Sequence, residues 1–207
     1  MDIDNYYKQL EGFKIKSYLG ESKDGFPQFQ LTKPRYKDVK VEVSADEEGN
    51  YGGVLFLSEM ETILMLLESM ICLALNVYHE AKNQSYVGQV AVAQVVMNRV
   101  RDTRYPNTVC DVVKQGDTYK WKPDFPIKNR CQFSWYCDGK SDKPKEHKAW
   151  RDAMHIANGV YNGHLDDLVE GATHYHAHYV NPSWADTKTY VTRIDDHIFY
   201  RWEIKNE

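Results

Sequence analysis

Two apolar stretches, residues 58–81 and 86–101, follow each other with only a few polar residues between them, and this pairing constrains the fold more than any other feature. Leu64, Leu67, Ile71, Leu75 and Tyr78 recur at helical spacing, giving a first helix one apolar face that must be buried. Ser58 followed by Glu61 fits a capping box at its start. Asn83-Gln84-Ser85 continue a helix poorly, so the end is expected near Glu80 to Lys82. The second stretch is apolar on nearly all sides (Val87, Val90, Ala91, Val92, Val95, Val96), the profile of a helix at the centre of a domain. One carboxylate, Glu80, is thereby set at the end of a buried helix. Desolvation there raises a carboxyl pKa and suits the group to giving up a proton near neutral pH.

The flanking segments read differently. Residues 1–52 show little helical periodicity; Val39-Lys40-Val41-Glu42-Val43 alternates like a half-buried strand, Glu47-Glu48-Gly49-Asn50 supplies a turn, and Gly53 to Leu57 is the expected return strand. Residues 102–142 are expected to be loop-rich, punctuated by Pro106, Gly116, Pro123, Pro126 and Gly139. A third helix is expected over residues 144–162, with Trp150, Ala153, Met154, Ala157, Val160 and Tyr161 as its buried stripe and Gly163 as its stop. Three strands follow, over 173–180, 189–194 and 197–202, with Phe199 packed inward. The expected class is α+β: a lysozyme-like helical body carrying a small antiparallel sheet, residues 53–207, preceded by a short β-rich element, residues 1–52.

Composition narrows the function classes. The 207 residues suffice for one sizeable domain, and a hydrophobic share of 42% with twelve glycines and seven prolines excludes collagen-like or disordered classes. A net charge of −4 without a lysine/arginine stripe argues against nucleic acid as partner. The most apolar stretch, 54–77, carries Glu59, Glu61 and Glu68, and each would cost roughly 3 kcal/mol at a bilayer centre, so no stable membrane insertion is expected. Met1-Asp2-Ile3-Asp4-Asn5 lacks the basic region and apolar run of a secretory signal, so synthesis in the cytoplasm is the expectation. Cys72, within the first helix, is expected to be a buried free thiol. One pair among Cys110, Cys131 and Cys137 is compatible with a disulfide outside the cytosol, its identity left open. Fifteen tyrosines and five tryptophans offer faces that stack on sugar rings.

Four blocks, in order, carry a resemblance: Tyr78-His79-Glu80-Ala81 with Gly88-Gln89-Val90-Ala91-Val92-Ala93 and Asn98-Arg99-Val100; Cys131-Gln132-Phe133-Ser134-Trp135; Gly171-Ala172-Thr173-His174-Tyr175-His176-Ala177; and His197-Ile198-Phe199-Tyr200-Arg201. Together, over about residues 60–202, they resemble the SleB-type cell-wall hydrolase family, the spore-cortex-lytic group. The resemblance implies cleavage of peptidoglycan glycan strands, with the family's catalytic glutamate falling on Glu80. It further implies a lytic transglycosylase, in which one glutamate serves as acid and then base, with no cofactor and no metal. The chain departs from the pattern at Asp195-Asp196, where a glycine-containing turn is usual, and at Leu168-Val169-Glu170.

Around Glu80, the expected substrate-binding residues are Gln132 and Ser134 as hydrogen-bonding groups, Trp135 as a stacking face, and Thr173, His174 and Tyr175 as cleft residues, with Trp184 extending the aromatic surface or sealing the core. Asp102, Asp111, Asp124 and Asp138 are candidates for a second carboxylate if the chemistry is hydrolytic. His174, His176 and His178 share one strand face, which makes a zinc-dependent hydrolase the rival reading; a non-catalytic wall-binding or virion structural protein is another. The cytoplasmic expectation, joined to a wall-degrading family, points to a phage product: an endolysin, or a virion component whose residues 1–52 dock on other virion proteins.

Overall fold

The computed structural model describes residues 14–21, 27–33, 36–42 and 57–203, with side chains from residue 65 onward. The chain divides into two compact units, Met1–Glu68 and Ser69–Glu207. In the first, strands β1 (Lys14–Glu21), β2 (Pro27–Lys33) and β3 (Tyr36–Glu42) form an antiparallel sheet in the order β1-β2-β3. Phe29 and Leu31 are register partners of Val41 and Val39. The strand expected around Val39–Val43 is therefore present, but it pairs with β2. Gly53–Phe56, named as its return strand, lie outside the described residues, and Leu57 already belongs to helix α1 (Leu57–Ala81). Ser58 is accordingly a helical residue and not the cap.

The second unit is built around helix α2 (Tyr86–Arg101). Its Val90, Ala91, Val92, Ala93, Val95 and Val96 are at most 1% exposed, as the all-round apolar pattern predicts. Helix α3 (Val109–Lys114) and helix α4 (His147–Tyr161) pack against it. On its sheet side lies the antiparallel sheet β6-β8-β7, made of β6 (His174–Ala177), β7 (Thr189–Ile194) and β8 (His197–Arg201). Phe199 is fully buried among Ala81, Ala91, Val92, Val95, Val169 and Ala172, the inward packing its alternation called for. Helix α4 ends at Gly163, whose φ of +68° admits a left-handed turn; its N–H donates to Val160 O at 3.1 Å and His164 N–H to Gly159 O at 2.9 Å. Among the described residues, no helix is long and apolar enough to cross a membrane.

Residues 102–142 are not mainly loop: they hold α3, a hairpin of β4 (Gly116–Tyr119) and β5 (Lys122–Cys131), and a 3-10 turn at Ser134–Cys137. The hairpin's strands are largely exposed, with Trp121 78% open to solvent, so no face is buried and no alternation is written into the sequence. Cys72 is not a free thiol. It bonds to Cys110 at the start of α3, and Cys131 bonds to Cys137 across the 3-10 turn. The α1–α3 bridge was hidden because the short helix that presents Cys110 was read as loop.

Candidate active site

The last turn of α1 is anchored residue by residue. The Tyr78 hydroxyl accepts hydrogen bonds from Lys145 N–H at 3.0 Å and Glu146 N–H at 3.3 Å, while Lys82 pairs with the Glu146 carboxylate. His79 Nε2 donates to Asp142 O at 2.9 Å, and its ring stacks on Trp135 at 4.6 Å. Tyr78 and His79 thus tie the turn to the segment leading into α4. Glu80 points instead to the sheet, where its Oε2 accepts from the Tyr175 hydroxyl on β6 at 3.0 Å. Burial pushes the Glu80 carboxyl above its ordinary pKa; the Tyr175 hydrogen bond and the Arg99 charge act in the other direction. Tyr175 itself is driven well above the ordinary phenol range by burial and by the Glu80 charge, so it remains a hydrogen-bond donor.

The turn after Glu80 is fastened to the β7–β8 turn. Ser85 caps α2 by accepting from Gly88 N–H, and its own N–H and hydroxyl donate to Asp195 Oδ2 at 2.9 and 2.6 Å. Gln84 Nε2 donates to Asp196 Oδ2 and Gln84 Oε1 accepts from Asp196 N–H. Asp195, at φ +50°, takes the left-handed position. Gly88 is required here by closeness: a Cβ on it would lie 2.3 Å from Asp195 Oδ2. The departure at Asp195-Asp196 is thus accommodated as a clasp on the loop that follows the glutamate.

Helix α2 grips the strand that carries Tyr175. Asn98 Nδ2 donates to Ala172 O at 3.0 Å and Arg99 Nε to Thr173 O at 2.7 Å. Further along, buried Gln94 donates to Asp166 O at 2.6 Å and accepts from Leu168 N–H at 2.9 Å, holding the segment in which Val169 is fully buried and Gly171 turns at φ +76°.

The sequence-chosen residues therefore separate into groups. Glu80 and Tyr175 meet directly. Thr173 is 3% exposed, its carbonyl on Arg99 and its hydroxyl on His174 Nδ1, so it supports the strand. His174 is half-buried among the rings of Tyr105, Trp184 and Trp202; burial, then the Arg99 charge, lowers its pKa to about 4. Gln132 and Ser134 are exposed, whereas Trp135 is buried, donating to Asn76 Oδ1 at 3.2 Å. That indole braces His79. Trp184 packs its ring against His174, His176 and Tyr200.

The three histidines of the zinc reading have separate occupations. His176 Nδ1 donates to Ala177 O, its Nε2 accepts from the Tyr200 hydroxyl, and its ring stacks on Tyr200. His178 lies beyond the end of β6, beside Asp196. Of the proposed second carboxylates, Asp102 is bound by Arg104, Asp111 by Thr108, and Asp138 by Lys140 N–H. What sequence reasoning missed is Arg99. The available signal was a guanidinium set two residues inside the end of a largely apolar helix, flanked by Met97 and Val100.

A half-buried glutamate whose one oxygen is held by a tyrosine, on a helical body backed by a small antiparallel sheet, is an arrangement suited to general acid–base catalysis. Residues 83–200 match the family described as Cell Wall Hydrolase, and the chain belongs to that family. Glu80 lies just ahead of the matched stretch. The spore cortex-lytic enzyme of Halalkalibacterium halodurans is 30% identical over 128 residues, covering 59% of this chain and 32% of that protein. The spore cortex-lytic enzyme of Bacillus subtilis strain 168 is 27% identical over 127 residues, covering 61% and 35%. Among solved structures, the catalytic domain of the Bacillus cereus SleB protein is similar at 27% identity and a TM-score of 0.47, covering 65% of this chain and 91% of that one. The catalytic domain of the germination-specific lytic transglycosylase SleB from Bacillus anthracis gives 26% identity and a TM-score of 0.48, covering 64% and 93%. The chain thus spans about a third of the length of these curated relatives.

Proposed function

We propose that this chain cleaves the glycan strands of peptidoglycan between N-acetylmuramic acid and N-acetylglucosamine, as a lytic transglycosylase with Glu80 as acid and then base. The observation that carries this reading is the half-buried Glu80 carboxyl, raised by burial and held on one oxygen by Tyr175. In its protonated form Glu80 gives its proton to the glycosidic oxygen as the bond to the muramyl C1 breaks. The carboxylate then takes the proton of the muramyl C6 hydroxyl as that oxygen bonds to C1. The product is a 1,6-anhydro ring, no water is consumed, and Glu80 ends protonated. Tyr175, which stays protonated, steadies the carboxylate during the second half. Three of the four candidate second carboxylates, Asp102, Asp111 and Asp138, are engaged within the protein, which favours a mechanism with one carboxylate.

Gln132 and Ser134 are proposed to bind sugar hydroxyls or acetamido groups, His174 to line the cleft, and Thr173 and Trp135 to act through the groups they brace. The action is placed at the cell wall, and the Cys72–Cys110 and Cys131–Cys137 disulfides support work outside the reducing cytosol. A phage setting, with residues 1–52 as a wall- or virion-docking element, is proposed alongside. Mass spectrometry of purified virions separates its two forms, because a virion component is found there and an endolysin is not. The catalytic proposal is tested by digesting purified sacculi with the wild-type chain and with Glu80→Gln. Soluble fragments with anhydro-muramyl ends from the wild type alone are expected. Equal release by both proteins would remove Glu80 from the reaction.

A further inference from the structure

Arg99 is charged and only 5% exposed, in a helix whose other buried residues are uncharged. Among the described residues its guanidinium makes one hydrogen bond, Nε to Thr173 O at 2.7 Å, and lies over the rings of Phe133 at 5.2 Å and Tyr105 at 5.3 Å. Nη1 is buried without a hydrogen-bond partner among the described residues. A buried cation with so few partners is costly to fold around, and a neutral side chain would pack there more cheaply. A second fact gives its position meaning. Thr173 stands two residues before Tyr175 on the same run of chain, and the Tyr175 hydroxyl donates to Glu80. Arg99 therefore fixes the strand that holds the glutamate, and its charge acts on the carboxyl from the α2 side. Asn98 makes the neighbouring grip, on Ala172 O, without a charge.

We propose that Arg99 is a positioning residue for Glu80: a fixed cation that sets the register of Tyr175 and favours the carboxylate form the glutamate must take after giving up its proton. The proposal rests on the reading of Glu80 as acid and base. Burial favours the protonated acid, while Arg99 and the Tyr175 hydrogen bond oppose it, so that both forms are reached in one cycle. The charged and titratable groups acting on the Glu80 carboxyl are Tyr175 from β6 and Arg99 from α2. Those acting on Arg99 in turn are Tyr105, Tyr175 and Glu80. His174 stays neutral above about pH 4 and adds no charge at neutral pH.

The test is a carbon-13 NMR titration of Glu80 in wild type, Arg99→Met, Arg99→Lys and Asn98→Ala, paired with the pH profile of kcat/KM on purified sacculi. Arg99→Met is expected to move the Glu80 midpoint upward and to carry the descending limb of the profile by the same amount. Arg99→Lys is expected to restore the wild-type midpoint, and Asn98→Ala, which removes the neighbouring grip without removing a charge, to leave it in place. A folded Arg99→Met with an unmoved midpoint overturns the proposal, as does an Asn98→Ala that moves it equally. If Arg99→Met does not fold, Arg99→Lys decides: a midpoint near wild type supports the proposal, and an upward displacement overturns it. The titration needs no substrate, so a protein inert toward peptidoglycan would sink the proposed function while this result still stood or fell by itself.

Discussion

Adding one methyl group at Gly88 should destabilise the domain, and the sign of the effect should reverse when its neighbour is removed. A Cβ at position 88 would lie 2.3 Å from Asp195 Oδ2, so the carboxylate must leave. In leaving, it forfeits the hydrogen bonds from Ser85 N–H at 2.9 Å and Ser85 Oγ at 2.6 Å. At ~0.5–1.5 kcal/mol each, the loss is about 2 kcal/mol. Against it stands the helical advantage of alanine over glycine, about 0.5–1 kcal/mol. Gly88→Ala should therefore cost about 1 kcal/mol net, a melting temperature lower by roughly 3–5 °C for a unit of this size. In an Asp195→Gly background, which tolerates the +50° φ, the clash disappears. Gln84 Cβ is then the next neighbour, at 3.0 Å, and Gly88→Ala should be neutral to stabilising by about 0.5 kcal/mol. Thermal denaturation of the four proteins of this cycle measures the coupling. An equal cost of Gly88→Ala in both backgrounds would refute the clasp between Asp195 and the loop after Glu80.

Other consequences are equally open to measurement. The folded-state pKa of Glu80 is raised, so its stabilising contribution is full below the unfolded-state value and is lost as pH rises through the folded value. Glu80→Gln, which still accepts from Tyr175, should be neutral or stabilising by about 1 kcal/mol at pH 8 in urea unfolding; a loss beyond ~2 kcal/mol would mark Glu80 as structural. His174 has the opposite sign: its folded-state value, about 4, lies below the ordinary 6.5, so the stability it contributes is present at neutral pH and lost on acidification through that window. Urea midpoints at pH 7 and pH 5 should fall less for His174→Gln than for wild type, and identical slopes would contradict its burial. Gln94→Leu strips the partners of Asp166 O and Leu168 N–H and should cost about 2–3 kcal/mol by chemical denaturation. A cost under ~0.5 kcal/mol would mean that water replaces both bonds.

How much was legible depended on burial. Helix α2 could be read to its boundaries because it is apolar on nearly all sides and follows three residues that continue a helix poorly, of which Ser85 proves to be the cap. Gly163 and the α4 stripe were readable for the same reason. Strand alternation placed Tyr175 on the face opposite His174, and the structure sends Tyr175 to Glu80 and His174 to the Trp184 side. The β4–β5 hairpin was illegible because it buries neither face, and periodicity reports only burial. The Cys72–Cys110 pairing depends on where a six-residue helix docks, which no local pattern encodes. Trp135 was read as a sugar platform from residue type alone; its buried position, on His79 and Asn76, is a tertiary fact. Arg99 was visible as a charge in a largely apolar helix, but its meaning required the partner strand.

The proposed reaction turns on a single carboxyl that gives up a proton and takes one back, with no water entering the product. Digesting sacculi in water enriched in oxygen-18, with wild type and Glu80→Gln in parallel, tests this directly by mass spectrometry of the released ends. Anhydro-muramyl ends without label from wild type, and no release by Glu80→Gln, are the predicted result. Labelled reducing ends would contradict the intramolecular step and require a second carboxylate to activate water.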